Sequence, residues 1–187
     1  MRVITGSARG RRLKQLEGME TRPTTDRVKE GLFSILQFDI EGRNVLDLFA
    51  GTGQLGIECL SRGAKHCVFV ECRSDAVKLI RDNLKTTELT DLAQVVSGES
   101  MSYLKSVRQP FDLIFLDPPY EAGLLEAAIA EIAKFDILAP HGIIAAEHPA
   151  DKALPQLAPP YRLHRTYRYG KIGLTIYHRD GNQENEG

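Results

Sequence analysis

Tryptophan is absent from the 187 residues, and cysteine occurs only as Cys59, Cys67 and Cys72. An odd number of thiols without metal-ligand spacing predicts neither a disulfide framework nor a metal site. We interpret them as small buried residues of a protein kept in a reducing cytoplasm. No run reaches the roughly 18 apolar residues of a membrane span, and no apolar stretch of a secretory signal follows the basic N-terminus. The sequence therefore predicts a cytoplasmic protein without membrane attachment.

The length and composition predict one compact core. The chain has room for one domain and little left for a second. Its residues are 42% hydrophobic and 26% charged, which is ordinary for globular proteins and disfavours disordered or fibrous classes.

Acidic residues are missing from the segment 162–179, which carries five basic side chains. The first 29 residues are also basic, with eight Lys or Arg and three Asp or Glu, whereas the residues between these segments are acidic. If the two basic segments meet in space, they form a phosphate-binding face on an otherwise acidic body. The alternative is ordinary solvated surface charge.

Short apolar runs without polar alternation recur between segments of helical spacing. The runs are 44–49, 66–71, 93–97, 112–116 and 142–147. The helical segments are 55–61, 74–86, 100–107 and 123–135. Runs of this kind are typical of strands buried on both faces. The alternation predicts an α/β fold with a mainly parallel sheet, helices on its faces and ligands at the carboxyl ends of the strands.

The two ends of the chain break this alternation. Residues 163–169 and 172–178 flank a Gly-Lys pair and predict an antiparallel hairpin at one edge of the sheet. Residues 2–16 predict a small hairpin, and a helix is expected over about 26–38, capped by Thr24 or Thr25.

A glycine-rich turn follows the first predicted strand, in the sequence DLFAGTGQLG. Gly51 and Gly53 allow close approach of a ligand to the backbone, and Gly56 allows the next helix to pack tightly on the sheet. The spacing alone also fits a nicotinamide cofactor or a plain structural turn. Asp47 within the motif is an awkward neighbour for a pyrophosphate and a favourable one for a cationic amino-acid moiety.

Glu71 ends the second predicted strand. A carboxylate at this position can accept hydrogen bonds from both hydroxyls of a ribose. The alternative is a surface acid at the end of a strand.

The most specific motif is Asp117-Pro118-Pro119-Tyr120, which directly follows the fourth apolar run. Two prolines lack N–H donors, so nearby carbonyls remain free as acceptors. Asp117 and the Pro118 carbonyl can accept the hydrogens of an exocyclic amino group, while Tyr120 can stack on a planar base. The alternative is a turn that merely ends a strand.

Together the glycine motif, Glu71 and the tetrapeptide resemble the S-adenosylmethionine-dependent methyltransferases that modify exocyclic amino groups of nucleic-acid bases. The N-terminal MRVITGSARGRRLK and the run RPTTDRVKE narrow this to the RsmD-type 16S ribosomal RNA guanine N2-methyltransferases. The resemblance covers residues 2 to about 178. It implies a Rossmann-like, seven-stranded class I methyltransferase fold at 42–180, with an RNA-contacting extension at 1–41. The composition of residues 181–187 predicts a disordered tail.

The resemblance also implies a function and roles for individual residues. Methyl transfer from S-adenosylmethionine to N2 of a guanine in 16S rRNA is expected, with S-adenosylhomocysteine as product. The implied catalytic residues are Asp117, Pro118 and Tyr120. The implied cofactor-binding residues are Asp47, Phe49, Gly51, Gly53, Glu71, Glu99, Ser100 and Met101, and the last three compete for the adenine contact. No metal is expected.

A base buried in a helix must be extruded before it can reach such a pocket. The candidate RNA contacts are Arg9, Arg11, Arg12, Arg22 and Arg27. The alternative for Arg22 and Arg27 is a local ion pair with Asp26 or Glu30. The expected partner is a small-subunit particle rather than free rRNA, and a monomeric enzyme is expected.

Three other functions remain open from the residues. An adenine N6 or cytosine N4 methyltransferase would use the same tetrapeptide. A nicotinamide-dependent reductase would use the glycine turn but leave the tetrapeptide unexplained. A noncatalytic assembly factor would have no need of Asp47, Glu71 and Asp117.

Overall fold

The computed structural model describes residues 1–16, 23–119 and 123–181, without the side chains of residues 23–25. The predictions made for Arg22, for Tyr120 and for the tail residues 182–187 lie outside the described residues.

The described strands form one seven-stranded sheet in the order β3-β2-β1-β4-β5-β7-β6. The strands are β1 (Asn44–Asp47), β2 (His66–Glu71), β3 (Ala93–Ser97), β4 (Phe111–Leu116), β5 (Leu138–Pro149), β6 (Tyr161–Tyr169) and β7 (Ile172–Arg179). Neighbours among β1 to β5 run parallel, whereas β7 is antiparallel to both β5 and β6. The predicted mainly parallel sheet with a C-terminal antiparallel hairpin is confirmed.

Five α-helices in the described residues cover both faces of this sheet. They are α1 (Pro23–Ile35), α2 (Gln54–Ser61), α3 (Ser74–Thr87), α4 (Ser100–Ser106) and α5 (Leu124–Lys134). Apolar residues of α1, α2 and α3 form one buried cluster with one face of the sheet. Those of α4 and α5 form a second cluster on the opposite face. None of the described helices is both long and apolar enough to cross a membrane.

The main differences from the predicted boundaries are in α1 and β5. Helix α1 begins at Pro23, so Thr24 and Thr25 lie inside the helix rather than before it. Proline suits the first helical position because its φ is already helical and no N–H is lost there. Strand β5 is twice as long as expected, since it pairs with β4 along its first part and with β7 along its second.

The N-terminal segment forms the predicted small hairpin and shares the main core. Arg2 and Arg12 form a bridge, and Val3 and Leu13 are buried in the cluster on the α1 face. The packing therefore continues across the proposed boundary between residues 41 and 42, and that domain division stays a prediction.

Glu58 of α2 holds this hairpin in place from within the core. Its carboxylate accepts hydrogen bonds from the N–H of Ile4 at 2.8 Å and of Thr5 at 3.0 Å. The same carboxylate pairs with Lys29 of α1 at 3.3 Å and with Arg62 at 2.9 Å. Glu58 is fully buried. One buried charge therefore joins the N-terminal hairpin, α1 and α2.

We expect Glu58→Ala to lower the free energy of unfolding by about 3–5 kcal/mol, because it leaves a buried ammonium and two N–H groups without their acceptor. Urea denaturation measures the change. The matched control is Glu88→Gln, which removes an exposed ion pair with Arg11 and should change stability by less than about 1 kcal/mol. A similar small change in Glu58→Ala would contradict the assigned role.

Candidate active site

Three carboxylates lie at the carboxyl ends of adjacent parallel strands. Asp47 ends β1, Glu71 ends β2 and Asp117 directly follows β4. Strand β1 lies between the other two, with Asp47 opposite Phe69 on one side and Phe115 on the other. The three side chains predicted to form the site therefore lie together where the parallel strands have their carboxyl ends.

Asp47 is the most deeply placed of the three, with 2% of its surface exposed. Its Oδ2 accepts a hydrogen bond from the N–H of Gly56 at 3.1 Å. Burial raises the pKa of Asp47 to about 7, and the negative charges of Asp117 and Glu71 add to the effect, while the Gly56 N–H partly offsets it. A nearby positive charge would stabilise the ionised form.

The glycine turn bends as its sequence predicts. Gly51 and Gly53 have positive φ values of 53° and 77°, which other residues rarely adopt. Gly56 lies so close to the ring of Phe69 that a side chain would not fit. The turn is tied to β2 because the Ala50 N–H donates to the Val70 carbonyl at 3.0 Å.

A buried amide connects this turn to the N-terminal segment. The Oδ1 of Asn83 in α3 accepts from the Lys14 N–H at 2.8 Å. Its Nδ2 donates to the carbonyls of Lys14 at 3.2 Å and of Thr52 at 3.1 Å. Thr52 lies between the two turn glycines, so Asn83 holds the turn and the N-terminal segment together.

The backbone fixes the orientation of Glu71. Its Oε2 accepts from the Gly51 N–H at 2.8 Å, and its Oε1 accepts from the Arg73 N–H at 2.9 Å. A carboxylate oxygen can accept more than one hydrogen bond, so both retain capacity for ligand hydroxyls. Ribose binding by Glu71 stays a prediction.

Asp117 and Pro118 begin the loop after β4. Burial raises the pKa of Asp117 to about 6. Pro118 is buried and Pro119 is exposed. A carboxyl group with this pKa is largely ionised at neutral pH and close to the range of a general base.

The remaining predicted cofactor contacts lie near the same edge. The Ser100 hydroxyl donates to the Leu48 carbonyl at 2.7 Å, so its hydrogen is already used. Glu99 is exposed just before α4, and Met101 and Phe49 pack against the cluster on the α5 face. The structure thus brings these residues beside the site, and their contact with a cofactor stays a prediction.

Gln54 is a candidate site residue that the sequence reasoning missed. It is the first residue of α2 and follows Gly53 directly. Its Oε1 is buried and has no hydrogen-bond partner among the described residues. A polar side chain directly after the last turn glycine was the available signal, since helix N-termini bind ligands in this fold. Gln54 offers an unused acceptor to a bound molecule.

The predicted arginines of the N-terminal hairpin lie at the other end of the molecule. Arg11 donates to the Thr86 carbonyl and pairs with Glu88 at 2.8 Å, at the C-terminal end of α3. Helix α3 begins just after Glu71 and has 14 residues, so its ends are about 20 Å apart. Arg9 and Arg12 are exposed in the same hairpin.

Arg27 has a different position. It is exposed on α1, and its side chain forms no ion pair with Asp26 or Glu30 in the described structure. The local ion pair considered as an alternative is therefore not formed. RNA contact by Arg9, Arg11, Arg12 and Arg27 stays a prediction.

Comparison with known proteins assigns the chain to a family. The family model described as Conserved hypothetical protein 95 matches residues 1–178. The chain belongs to this family. The predicted resemblance to RsmD-type enzymes is thereby confirmed.

Named members of the family match over nearly their whole length. The Bacillus subtilis protein "Putative rRNA methyltransferase YlbH" is 43% identical over 184 residues, which are 97% of this chain and 100% of that protein. The Escherichia coli "Ribosomal RNA small subunit methyltransferase D" is 35% identical over 186 residues, covering 100% of this chain and 93% of the relative.

Solved structures share the fold. The "Putative methyltransferase yhhF from Escherichia coli" superposes with a TM-score of 0.87 at 33% identity, covering 96% of this chain and 98% of its own. A more distant neighbour, "SMU.776, a putative methyltransferase complexed with SAH", has a TM-score of 0.66 at 16% identity, covering 84% of this chain and 50% of its own, and shows the shared fold alone. Family and fold together confirm the predicted rRNA methyltransferase.

We expect Asp47→Asn to stabilise the cofactor-free protein at pH 8 and to stabilise it considerably less at pH 5. The folded pKa of about 7 lies above the ordinary value of 3.8, so the folded state loses stability as pH rises between the two values. Asparagine removes the charge and keeps an acceptor for the Gly56 N–H. Thermal unfolding at both pH values measures the effect.

The matched control is the exposed Asp91→Asn, which should change stability little at either pH. An Asp47→Asn variant that is less stable than the parent at pH 8 would show that the buried charge is compensated within the protein.

Proposed function

We propose that the chain transfers the methyl group of S-adenosylmethionine to the exocyclic N2 of a guanine in 16S rRNA. The observation that carries the proposal is the position of Asp117 and Pro118 beside Asp47 and Glu71, at the ends of adjacent strands. This arrangement puts acceptors for an amino group next to carboxylates suited to a cationic nucleoside cofactor. The relatives named as small-subunit rRNA methyltransferases support the choice of RNA.

The residues present fit this cofactor. Glu71 would accept the ribose hydroxyls, and Gly51 and Gly53 allow close approach of the ligand to the backbone. The buried Asp47 favours a ligand with positive charge, which S-adenosylmethionine carries on its ammonium and sulfonium groups. The Oε1 of Gln54, which has no hydrogen-bond partner among the described residues, is available to a ligand N–H donor. When bound, the cofactor supplies an electrophilic methyl group.

The acceptor amine is a weak nucleophile because its lone pair is delocalised into the base. Acceptors at Asp117 and the Pro118 carbonyl would hold its two hydrogens and turn the lone pair out of the ring plane. Holding amine and methyl group in line supplies much of the rate enhancement in such reactions. The negative charge of Asp117 would also stabilise the positive charge that develops on the nitrogen.

The nitrogen must lose a proton after transfer. The sequence leaves Asp117 and water as alternatives. We favour Asp117, because its pKa of about 6 lets it stay ionised at neutral pH and still accept a proton from a far more acidic methylated amine.

The proposal includes a monomeric, cytoplasmic enzyme that acts on a small-subunit particle. An unpaired or extruded base is required by a site at the edge of the sheet, and ribosomal proteins in a particle can present the base in that form.

We expect Asp117→Ala to lower methyl transfer by at least about a hundredfold while the cofactor dissociation constant changes by no more than a few-fold. The substitution removes an acceptor for the amine and none of the residues assigned to the nucleoside. Single-turnover assays and isothermal titration measure the two quantities. Equal transfer by the variant, or loss of cofactor binding alone, would contradict the role.

Labelled methyl transfer to small-subunit particles from a strain lacking this gene tests the function itself. Nucleoside analysis should show N2-methylguanosine. Label in N6-methyladenosine or N4-methylcytidine would support methylation of an exocyclic amine and show that the target base is not guanine. Cofactor binding without label on particles or free rRNA would support a noncatalytic assembly factor instead.

A further inference from the structure

The turn between β6 and β7 lies on the same side of the sheet as the candidate active site, which is the side where the parallel strands have their carboxyl ends. Tyr169 pairs with Ile172, and Ile172 pairs with Pro149 of β5. Strand β5 is parallel to β4, and Leu116 pairs with Ala146, three residues before Pro149. The turn is therefore level with the loop that begins at Asp117. Three strand spacings separate β4 from β6, a distance of about 14 Å.

This turn presents two basic side chains on a fixed backbone. Arg168 and Lys171 are exposed, and neither forms an ion pair within the described residues. The Arg168 Nε donates to the Gly170 carbonyl at 3.1 Å, which leaves the other guanidinium donors available. Gly170 has a φ of 63°, and the Ala150 N–H donates to the Lys171 carbonyl at 2.9 Å. The acidic Asp151 directly follows Ala150, and no ion pair joins it to Lys171 in the described structure.

Helix α1 brings a third basic side chain toward the same turn. Gly31 lies against the ring of Tyr169, so closely that a side chain at this position would displace the ring. Arg27 is four residues earlier and therefore on the same side of the helix, one turn nearer its N-terminus. It is exposed and unpaired with its acidic neighbours Asp26 and Glu30.

We propose that Arg168, Lys171 and Arg27 bind the phosphates of the single-stranded RNA segment that carries the target base. The inference rests on the proposed function and adds a second binding site to it. The candidate active site contains the carboxyl groups of Asp47, Glu71 and Asp117, whose negative charges repel phosphate. An RNA that inserts one base there must have its backbone held by cations beside the pocket, and the turn and α1 provide them at the required edge.

Protection of an edge strand is the competing explanation for these charges. Strand β6 is the last strand of the sheet, and basic side chains on such strands prevent pairing with other chains. This accounts for Arg162, which pairs with Asp180, and for Arg165, which lies over Tyr167. It does not account for Lys171, which is in a turn, or for Arg27, which is in a helix.

The experiment compares the double variant Arg168→Ala/Lys171→Ala and the single variant Arg27→Ala with the parent protein, using small-subunit particles and 16S rRNA as acceptors. We expect KM for the RNA to rise about tenfold in the double variant, with kcat and the cofactor dissociation constant within twofold. The slope of log affinity against log salt should become shallower by about 0.7 for each phosphate that is no longer neutralised. Arg27→Ala should show about half of the double variant's effect.

Two controls separate charge from structure. Arg162→Ala removes the same charge from the other end of β6, opposite His178, and should leave KM unchanged. Arg168→Lys/Lys171→Arg keeps the charge and should retain most of the affinity. An unchanged KM and salt slope in the double variant would overturn the proposal, as would an equal rise in Arg162→Ala.

The outcome for this site is independent of the outcome for the reaction. If the parent labels RNA and the double variant does so with the same KM, the proposed function stands and the phosphate site fails. If the parent labels no RNA, the proposed function fails, and filter binding with its salt slope still tests whether these three residues hold RNA.

Discussion

The buried carboxylate of Asp47 is the electrostatic constraint around which the site is arranged. A rise in pKa from 3.8 to about 7 corresponds to a penalty on the order of 4 kcal/mol for ionising this group in the cofactor-free protein. This penalty is what remains after the Gly56 N–H at the start of α2 has relieved part of the cost of burial. A ligand that carries positive charge would reduce it further. Instability of the empty site and affinity for a cationic cofactor thus have one physical origin.

The sequence predicted the sheet and the site carboxylates because both depend on local patterns. Uninterrupted apolar runs identify strands buried on both faces, and Asp47, Glu71 and Asp117 each end or directly follow such a run. In a parallel sheet the ends of such strands meet at one edge, so adjacency followed without knowledge of packing. Locating the individual strands in the sequence was therefore enough to predict that the three carboxylates lie together.

Features that depend on packing could not be predicted from the sequence. Side-chain positions are needed to see that Gln54 Oε1 has no partner in the described part of the chain and that Ser100 bonds to the Leu48 carbonyl. The full length of β5 depends on its second neighbour, β7, which comes much later in the chain. The charge blocks were visible as composition, but composition does not tell which end of a helix or strand a residue occupies. The hairpin arginines and the β6–β7 turn consequently looked equivalent and lie at opposite edges of the sheet.

The hydrogen bonds of Asn83 change how the N-terminal segment should be regarded. By sequence the segment looks like an appendage that can be trimmed to map RNA contacts. In the structure, the side-chain amide of Asn83 forms hydrogen bonds both to the backbone of Lys14 and to the Thr52 carbonyl of the glycine turn. A shortened protein would leave a buried amide half satisfied and the cofactor turn without one of its supports. Truncation would therefore damage two binding sites at once, and only point substitutions of exposed arginines can attribute a loss of activity to RNA binding.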